Sequence, residues 1–320
     1  MKILAPNRHT VYFLLFGKTG HEIDILTTLP GEELKWQTPL DELPKNMKLV
    51  EWSDDIKQKL DNGHYDLAVL LTLKDLIFFS KFKDLPIVFM VHIALYSHSL
   101  KLKLRWILKR FLLSVITLNR KITVAFSSPW KKSTWHYNPA PVIKHPPLPT
   151  PDIIFEEGTI PKAVTVGNHL DNREEVDFKL FVELRKHVEI DLIGQNPSVP
   201  DAITPSSRTE FGEELRKYQI FVFLLQFPWE DGYNLAVLEA MQSGMAVISM
   251  EHPTTLIEQG KNGFLCKSPE EMANRIKELQ SNPDLARQFG ERSKEIVAEK
   301  FSTTKFVDSW NELIVEAAAK

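Results

Sequence analysis

Short apolar runs and helical segments alternate along almost the whole chain, and that rhythm leaves few folds open. Asp66–Thr72 and Pro86–His92 are near-continuous apolar runs, the composition of strands covered on both faces. Glu22–Thr27 alternates apolar and polar residues with period two. Lys2–Ala5 reads as a further strand, followed by an apolar helix over 9–16. A long helix is predicted over 100–118, a strand over Ile122–Ser127, and then a helix with Pro129 in its first turn. Beyond Pro151 the rhythm restarts. Strands are predicted at Ala163–Gly167, Ile190–Gly194, Ile220–Leu225 and Ala246–Met250, separated by helices at Glu174–His187, Phe211–Lys217 and Leu235–Ser243. Helices fill most of the chain from Pro269 onward.

Repeated strand–helix units imply parallel sheets with helices on both faces, an α/β class. Two such blocks, 1–150 and 151–320, meet at Pro139–Pro151, where six prolines forbid a helix. The expected architecture is two doubly wound, Rossmann-like domains facing a cleft, and 320 residues suffice for both. No G-x-G-x-x-G follows any strand, so the nicotinamide and flavin fingerprint is missing.

Charge divides at the same place. Residues 1–151 hold 21 Lys+Arg against 13 Asp+Glu, and residues 152–320 hold 18 against 29. No acidic residue lies between Asp84 and Asp152, a stretch with ten basic ones, among them Lys101, Lys103, Arg105, Lys109, Arg110 and Arg120. The two halves are therefore expected to meet different partners. The overall pI of about 6.4 argues against nucleic acid. A single cysteine, Cys266, excludes an internal disulfide and a Cys-rich zinc site. Met1–Arg8 has no apolar signal core, and a cytoplasmic chain is expected, peripheral at the inner face of the membrane if it meets one.

The chemistry concentrates in one strand–loop–helix, Ile220 to Gly244. A buried strand ends, Pro228 and Gly232 turn the chain, Asn234 is placed to cap a helix, and Gly244 to close it. Free backbone N–H groups and the positive end of a helix then lie at the carboxyl edge of a parallel sheet, where anions bind. Asp231 stands just before this helix and Glu239 about a turn inside it. Carboxylates beside an anion site suit sugar hydroxyls between them. The plainer alternative makes Asp231 a helix N-terminal charge and Glu239 half of a surface ion pair.

Asp231-Gly-Tyr-Asn-Leu-Ala-Val-Leu-Glu239-Ala-Met-Gln-Ser-Gly-Met-Ala-Val-Ile-Ser249 resembles the E-x7-E signature of retaining GT-B glycosyltransferases, family four, the glycosyl transferases of group 1. Gly20-His-Glu-Ile-Asp-Ile-Leu-Thr27, Pro86–His92, Val166-Gly167 and Asn262-Gly-Phe-Leu265 resemble further segments of that family, in the same order. The resemblance implies an N-terminal acceptor domain and a C-terminal donor domain. It implies transfer of a sugar from a nucleotide sugar, with retention and without a metal or other cofactor, to a saccharide or lipid-linked acceptor in cell-surface glycan synthesis.

It also assigns residues. Glu239 would hold the ribose hydroxyls, and Asp231, one methylene shorter than the family's glutamate, would touch the donor sugar. Gly232, Tyr233, Asn234 and Leu235 would meet the diphosphate and sugar, and His92 the sugar near its anomeric carbon. Two positions depart from the pattern. Asn168 stands where the family has an arginine, and Arg173 falls near its lysine. Arg8, at a helix start, is the candidate for replacing the missing positive charge. These departures favour a second reading, a degenerate, non-catalytic nucleotide-sugar-binding or scaffold protein on the same fold. A third is another GT-B enzyme, such as an epimerase.

In the 100–118 helix, Leu104, Ile107, Leu108, Phe111, Val115 and Leu118 share a stripe roughly 100° wide, expected to face the core. Leu102, Trp106 and Leu113 fall on another side among Lys and Arg. They read either as a contact with an anionic membrane surface or as a second buried side with snorkelling cations. There is no D-x-D, no H-E-x-x-H, no G-x-S-x-G and no Walker A sequence.

Overall fold

The computed structural model describes residues 1–37, 43–96, 99–118, 121–155 and 161–320; Arg120 lies outside them. The chain forms two compact units, Met1–His145 with Thr303–Lys320, and Pro146–Ser302.

In the first unit the elements run β1 (Lys2–Pro6), α1 (Thr10–Phe16), β2 (Glu22–Leu26), β3 (Thr28–Leu29), β4 (Glu32–Glu33), β5 (Met47–Val50), α2 (Asp54–Asp61), β6 (Leu67–Leu70), α3 (Leu73–Phe79), β7 (Ile87–Val91), α4 (Leu100–Ile116), β8 (Ile122–Phe126) and α5 (Pro129–Trp135). Six strands form a sheet of order β5-β2-β1-β6-β7-β8, parallel throughout. β3 and β4 make a small antiparallel ribbon. The order reverses between β1 and β6, the kind of switch point at which α/β sheets open a crevice.

In the second unit the elements run β9 (Ala163–Val166), α6 (Phe178–Leu184), β10 (Ile190–Ile193), α7 (Arg208–Leu215), β11 (Ile220–Phe223), α8 (Leu235–Ser243), β12 (Ala246–Met250), β13 (Gly263–Cys266), α9 (Pro269–Ser281) and α10 (Pro283–Lys300). The sheet order is β10-β9-β11-β12-β13, again all parallel. Its switch point falls between β9 and β11. One apolar layer joins α6 and α9 to the sheet, and another joins α8 and α10 to its opposite face.

Cap residues set the helix starts. Asp177, Ser207 and Asn234 each accept a hydrogen bond from the third helical amide, at Leu180, Glu210 and Val237. This moves two predicted boundaries: α6 begins at Phe178 rather than Glu174, and α7 at Arg208 rather than Phe211. At the other end of α8, Gly244 adopts φ 97°, a left-handed close.

Two expectations are corrected. The last helix, α11 (Thr303–Ala318), belongs to the first unit, not with 151–320. Its Trp310 is fully buried, packs edge-on against Phe16 at 4.7 Å between centroids, and donates Nε1–H to Tyr12 Oη at 3.2 Å. Burying that aromatic cluster favours the return of the chain. Second, α4 is turned the other way round. Leu113 is buried, and Trp106 and Ile116 pack against the core, whereas Leu104, Ile107, Leu108, Phe111 and Leu118 are each at least 60% exposed. The Arg110 guanidinium donates to the Thr134 carbonyl of α5 and fixes this orientation. Among the described residues, no helix is long and apolar enough to cross a membrane.

Candidate active site

At the switch point of the second unit, β9 ends at Val166, ahead of Gly167-Asn168, and β11 leads into the loop before α8. The segment carrying Arg173 lies against that loop's start: the Gln226 amide donates to the Glu175 carbonyl at 2.8 Å, and the Asp177 amide to the Leu224 carbonyl at 2.9 Å. The structure thus gathers Asn168, Arg173, residues 231–235 and Glu239 into one unit. His92 and Arg8 belong to the other.

Glu239 is 4% exposed. Its carboxylate receives two hydrogen bonds from Arg208, Nη2 to Oε1 at 2.5 Å and Nη1 to Oε2 at 3.2 Å. A Leu148 amide from the Pro-rich segment also supports the charged form. Burial nonetheless pushes the carboxyl above its ordinary range, with Arg208 opposing. The surface ion pair of the plainer alternative is thus a buried one. Arg208 was not foreseen, because 31 residues separate it from Glu239 and no motif links them.

Asp231 is fully buried and Gly232 buried beside it. The Gly232 amide donates to Thr254 Oγ1 at 3.1 Å, and the Asp231 amide to Glu230 Oε1 at 2.9 Å. A Cβ on Gly232 would come within 2.4 Å of the Thr255 Cα, so glycine is required by backbone approach. Asp231 also acts on His252, whose imidazole burial lowers and Asp231 raises. Of the amides expected to face an anion, that of Gly232 is therefore engaged. Leu235 and Ala236 open the helix, where amides lack intrahelical acceptors.

Asn168 Oδ1 accepts the Gln195 amide at 2.8 Å. Gly194, at φ 134°, allows this approach, since a Cβ there would meet the Gly167 carbonyl at 2.2 Å. Asn168 thus ties β9 to the loop after β10. Arg173 is paired with Glu175 at 2.7 Å and remains about one-third exposed.

Arg8 holds no spare charge. Nε donates to Asp75 Oδ2 at 2.9 Å and Nη1 to Glu32 Oε1 at 2.6 Å, and Lys74 reaches the same Glu32 at 2.6 Å. Asp75 is itself fully buried and accepts from Thr72. The expectation that Arg8 supplies a free cation is therefore corrected: two carboxylates compensate it at the β1–β6 switch point. His92, at the end of β7, stands edge-on to Tyr12 at 4.4 Å between centroids. Burial, then Lys131, His145 and His9, hold its imidazole well below the ordinary histidine range, so it is neutral near pH 7.

Two parallel sheets of this order, each with a switch point, define a GT-B protein of two Rossmann-like units. Residues 161–282, all within the second unit, match the family described as Glycosyl transferases group 1. Over 101 residues the chain is 32% identical to poly(ribitol-phosphate) alpha-N-acetylglucosaminyltransferase of Staphylococcus aureus, a stretch covering 30% of this chain and 20% of the relative. The match thus spans about a fifth of that protein. The fold is similar to HepE of Anabaena in complex with UDP-glucose, with a TM-score of 0.71, 13% identity, and 99% and 100% of the two chains covered. It is also similar to sucrose-phosphate synthase of Thermosynechococcus elongatus, with a TM-score of 0.72, 12% identity, and 100% and 99% covered.

Proposed function

We propose that this protein is a retaining glycosyltransferase that moves a hexosyl-type sugar from a nucleotide sugar to a saccharide or lipid-linked acceptor in cell-surface glycan synthesis. The observation that carries this reading is the buried Glu239 carboxylate beside the opening of α8, at the carboxyl edge of the second sheet. A carboxylate kept buried against its solvation cost is well suited to grip vicinal ribose hydroxyls, to which it presents two strong acceptors. The α8 amides meet the diphosphate without a metal. Departure of the diphosphate leaves an oxocarbenium-like centre; Asp231 serves the donor sugar as a hydrogen-bonding partner. The group 1 match and the S. aureus relative, named as an N-acetylglucosaminyltransferase of poly(ribitol-phosphate), support transfer of a sugar to a polymeric acceptor. The similar structure holding UDP-glucose makes uridine diphosphate sugars the first donors to try.

A specific observation favours a second reading, a binding protein without turnover. Arg173 is paired with Glu175, Asp231 is enclosed, and the Gly232 amide is engaged by Thr254. One experiment separates the two. Purified protein is given UDP-glucose or UDP-N-acetylglucosamine, and UDP release and thermal shift are both measured. Release abolished by Glu239→Ala supports the enzyme. A shift without release supports the binding protein, and neither with any nucleotide sugar overturns both. Ligand at a hundred times Kd adds about 2.7 kcal/mol, which a melting curve resolves.

A further inference from the structure

We propose that the outward face of α4 is a docking surface that lies flat on an anionic lipid bilayer. Leu104, Ile107, Leu108, Phe111 and Val115 are between 45% and 65% exposed, and Leu100 and Leu118 prolong the stripe at 74% and 79%. These seven are among the thirteen exposed large apolar side chains of the described residues. Such side chains scattered singly need no explanation; a contiguous stripe marks an interaction surface. The helix has no use for the stripe in its own unit, because Leu113, Trp106 and Ile116 already seat the opposite side in the core.

Charge decides the occupant. Lys101 and Arg105 flank the stripe on one shoulder and Lys103 on the other, all three exposed. The helix contains no acidic residue, and none occurs between Asp84 and Asp152. A second copy of the chain on the same stripe would set these cations against one another. Anionic headgroups instead pair with the shoulders while the stripe enters the acyl boundary. A helix of 17 residues is about 25 Å long, and with its charged shoulders it lies in the interface plane rather than across it. The surface rests on the first unit alone and does not depend on catalysis.

The test is co-sedimentation of the full chain with phosphatidylcholine vesicles, with and without phosphatidylglycerol at about 3:1. Binding is expected only to the anionic vesicles and weakened by salt. The double variant Ile107→Gln/Phe111→Gln is expected to bind at least about tenfold more weakly with an unchanged melting temperature, since both side chains are already exposed. Lys101→Gln/Lys103→Gln/Arg105→Gln should lose binding too. A Phe111→Cys variant carrying an environment-sensitive dye should shift to the blue on anionic vesicles; Cys266 is buried and unlabelled. Equal binding by the apolar double variant, equal binding to neutral vesicles, no binding by the parent chain, or a dimer dispersed by the double variant would each overturn the proposal.

Discussion

Arg208 and Glu239, 31 residues apart, meet in a two-pronged ion pair that is largely withdrawn from water, at 21% and 5% side-chain exposure. Arg208 opens α7 and Glu239 lies inside α8, so the pair joins two helices on one side of the second sheet. Its energetics distinguish a structural carboxylate from one retained for a ligand.

Removing the guanidinium alone leaves a buried carboxylate without its counter-charge. Arg208→Ala is expected to cost about 3 kcal/mol, and Arg208→Ala/Glu239→Gln to recover most of it. Urea unfolding of the four proteins of this cycle measures the coupling. Additive single effects would mean that the pair carries no weight.

The pH dependence follows from the direction of the Glu239 shift. Its folded carboxyl titrates above the ordinary value because burial outweighs Arg208. The associated stability is present below the unfolded pKa and is lost as pH rises through the folded one. Glu239→Gln should therefore melt higher than the parent near pH 7.5, and the gap should close toward pH 4. The same variant should lose its nucleotide-sugar shift. A residue that lowers stability yet supports binding is kept for the ligand. A parent protein more stable than Glu239→Gln at pH 7.5 would reverse this conclusion.

His92 shifts the other way. Burial holds its folded pKa below about 6.5, so the stability it contributes is present above that value and falls as pH drops. In an NMR titration the His92 ring should keep its neutral chemical shift well below pH 6.5, and His92→Gln should flatten the acid limb of the melting curve. A midpoint at 6.5 would contradict the burial seen here.

Gly232→Ala tests the loop before α8. The added methyl would overlap the Thr255 backbone, at 2.4 Å from Cα and 2.6 Å from N. One of the two segments must shift, at a cost of about 2 kcal/mol. Calorimetry should show the loss, and the nucleotide-sugar shift should shrink with it. Retention of both would place the loop differently.

The placement of α11 is tested by Trp310→Ala. The cavity among Tyr12, Phe16 and Phe306 should cost about 4 kcal/mol. Fluorescence and circular dichroism during urea unfolding should show the first unit destabilised, with the second unaffected.

Local chemistry was legible in the sequence. The α/β rhythm, Asn234 as the cap of α8 and Gly244 as its close depend on neighbours within a few residues, and the structure has them as read. The apolar stripe of α4 was legible in its width but not in its direction. Periodicity records that six side chains share a side; a stripe that meets a core and one that meets lipid have the same period. Only the packing of Trp106 and Leu113 turned it outward. Arg208 at Glu239, Thr254 at Gly232, the two acids around Arg8 and Trp310 at Tyr12 are likewise long-range. Sequence by itself determined the alternation of strands and helices, whereas the starts of α6 and α7 were set by the caps Asp177 and Ser207. The tertiary structure decided which charges are already compensated and which apolar face remains uncovered, because burial and pairing belong to residues that the chain brings together only when it folds.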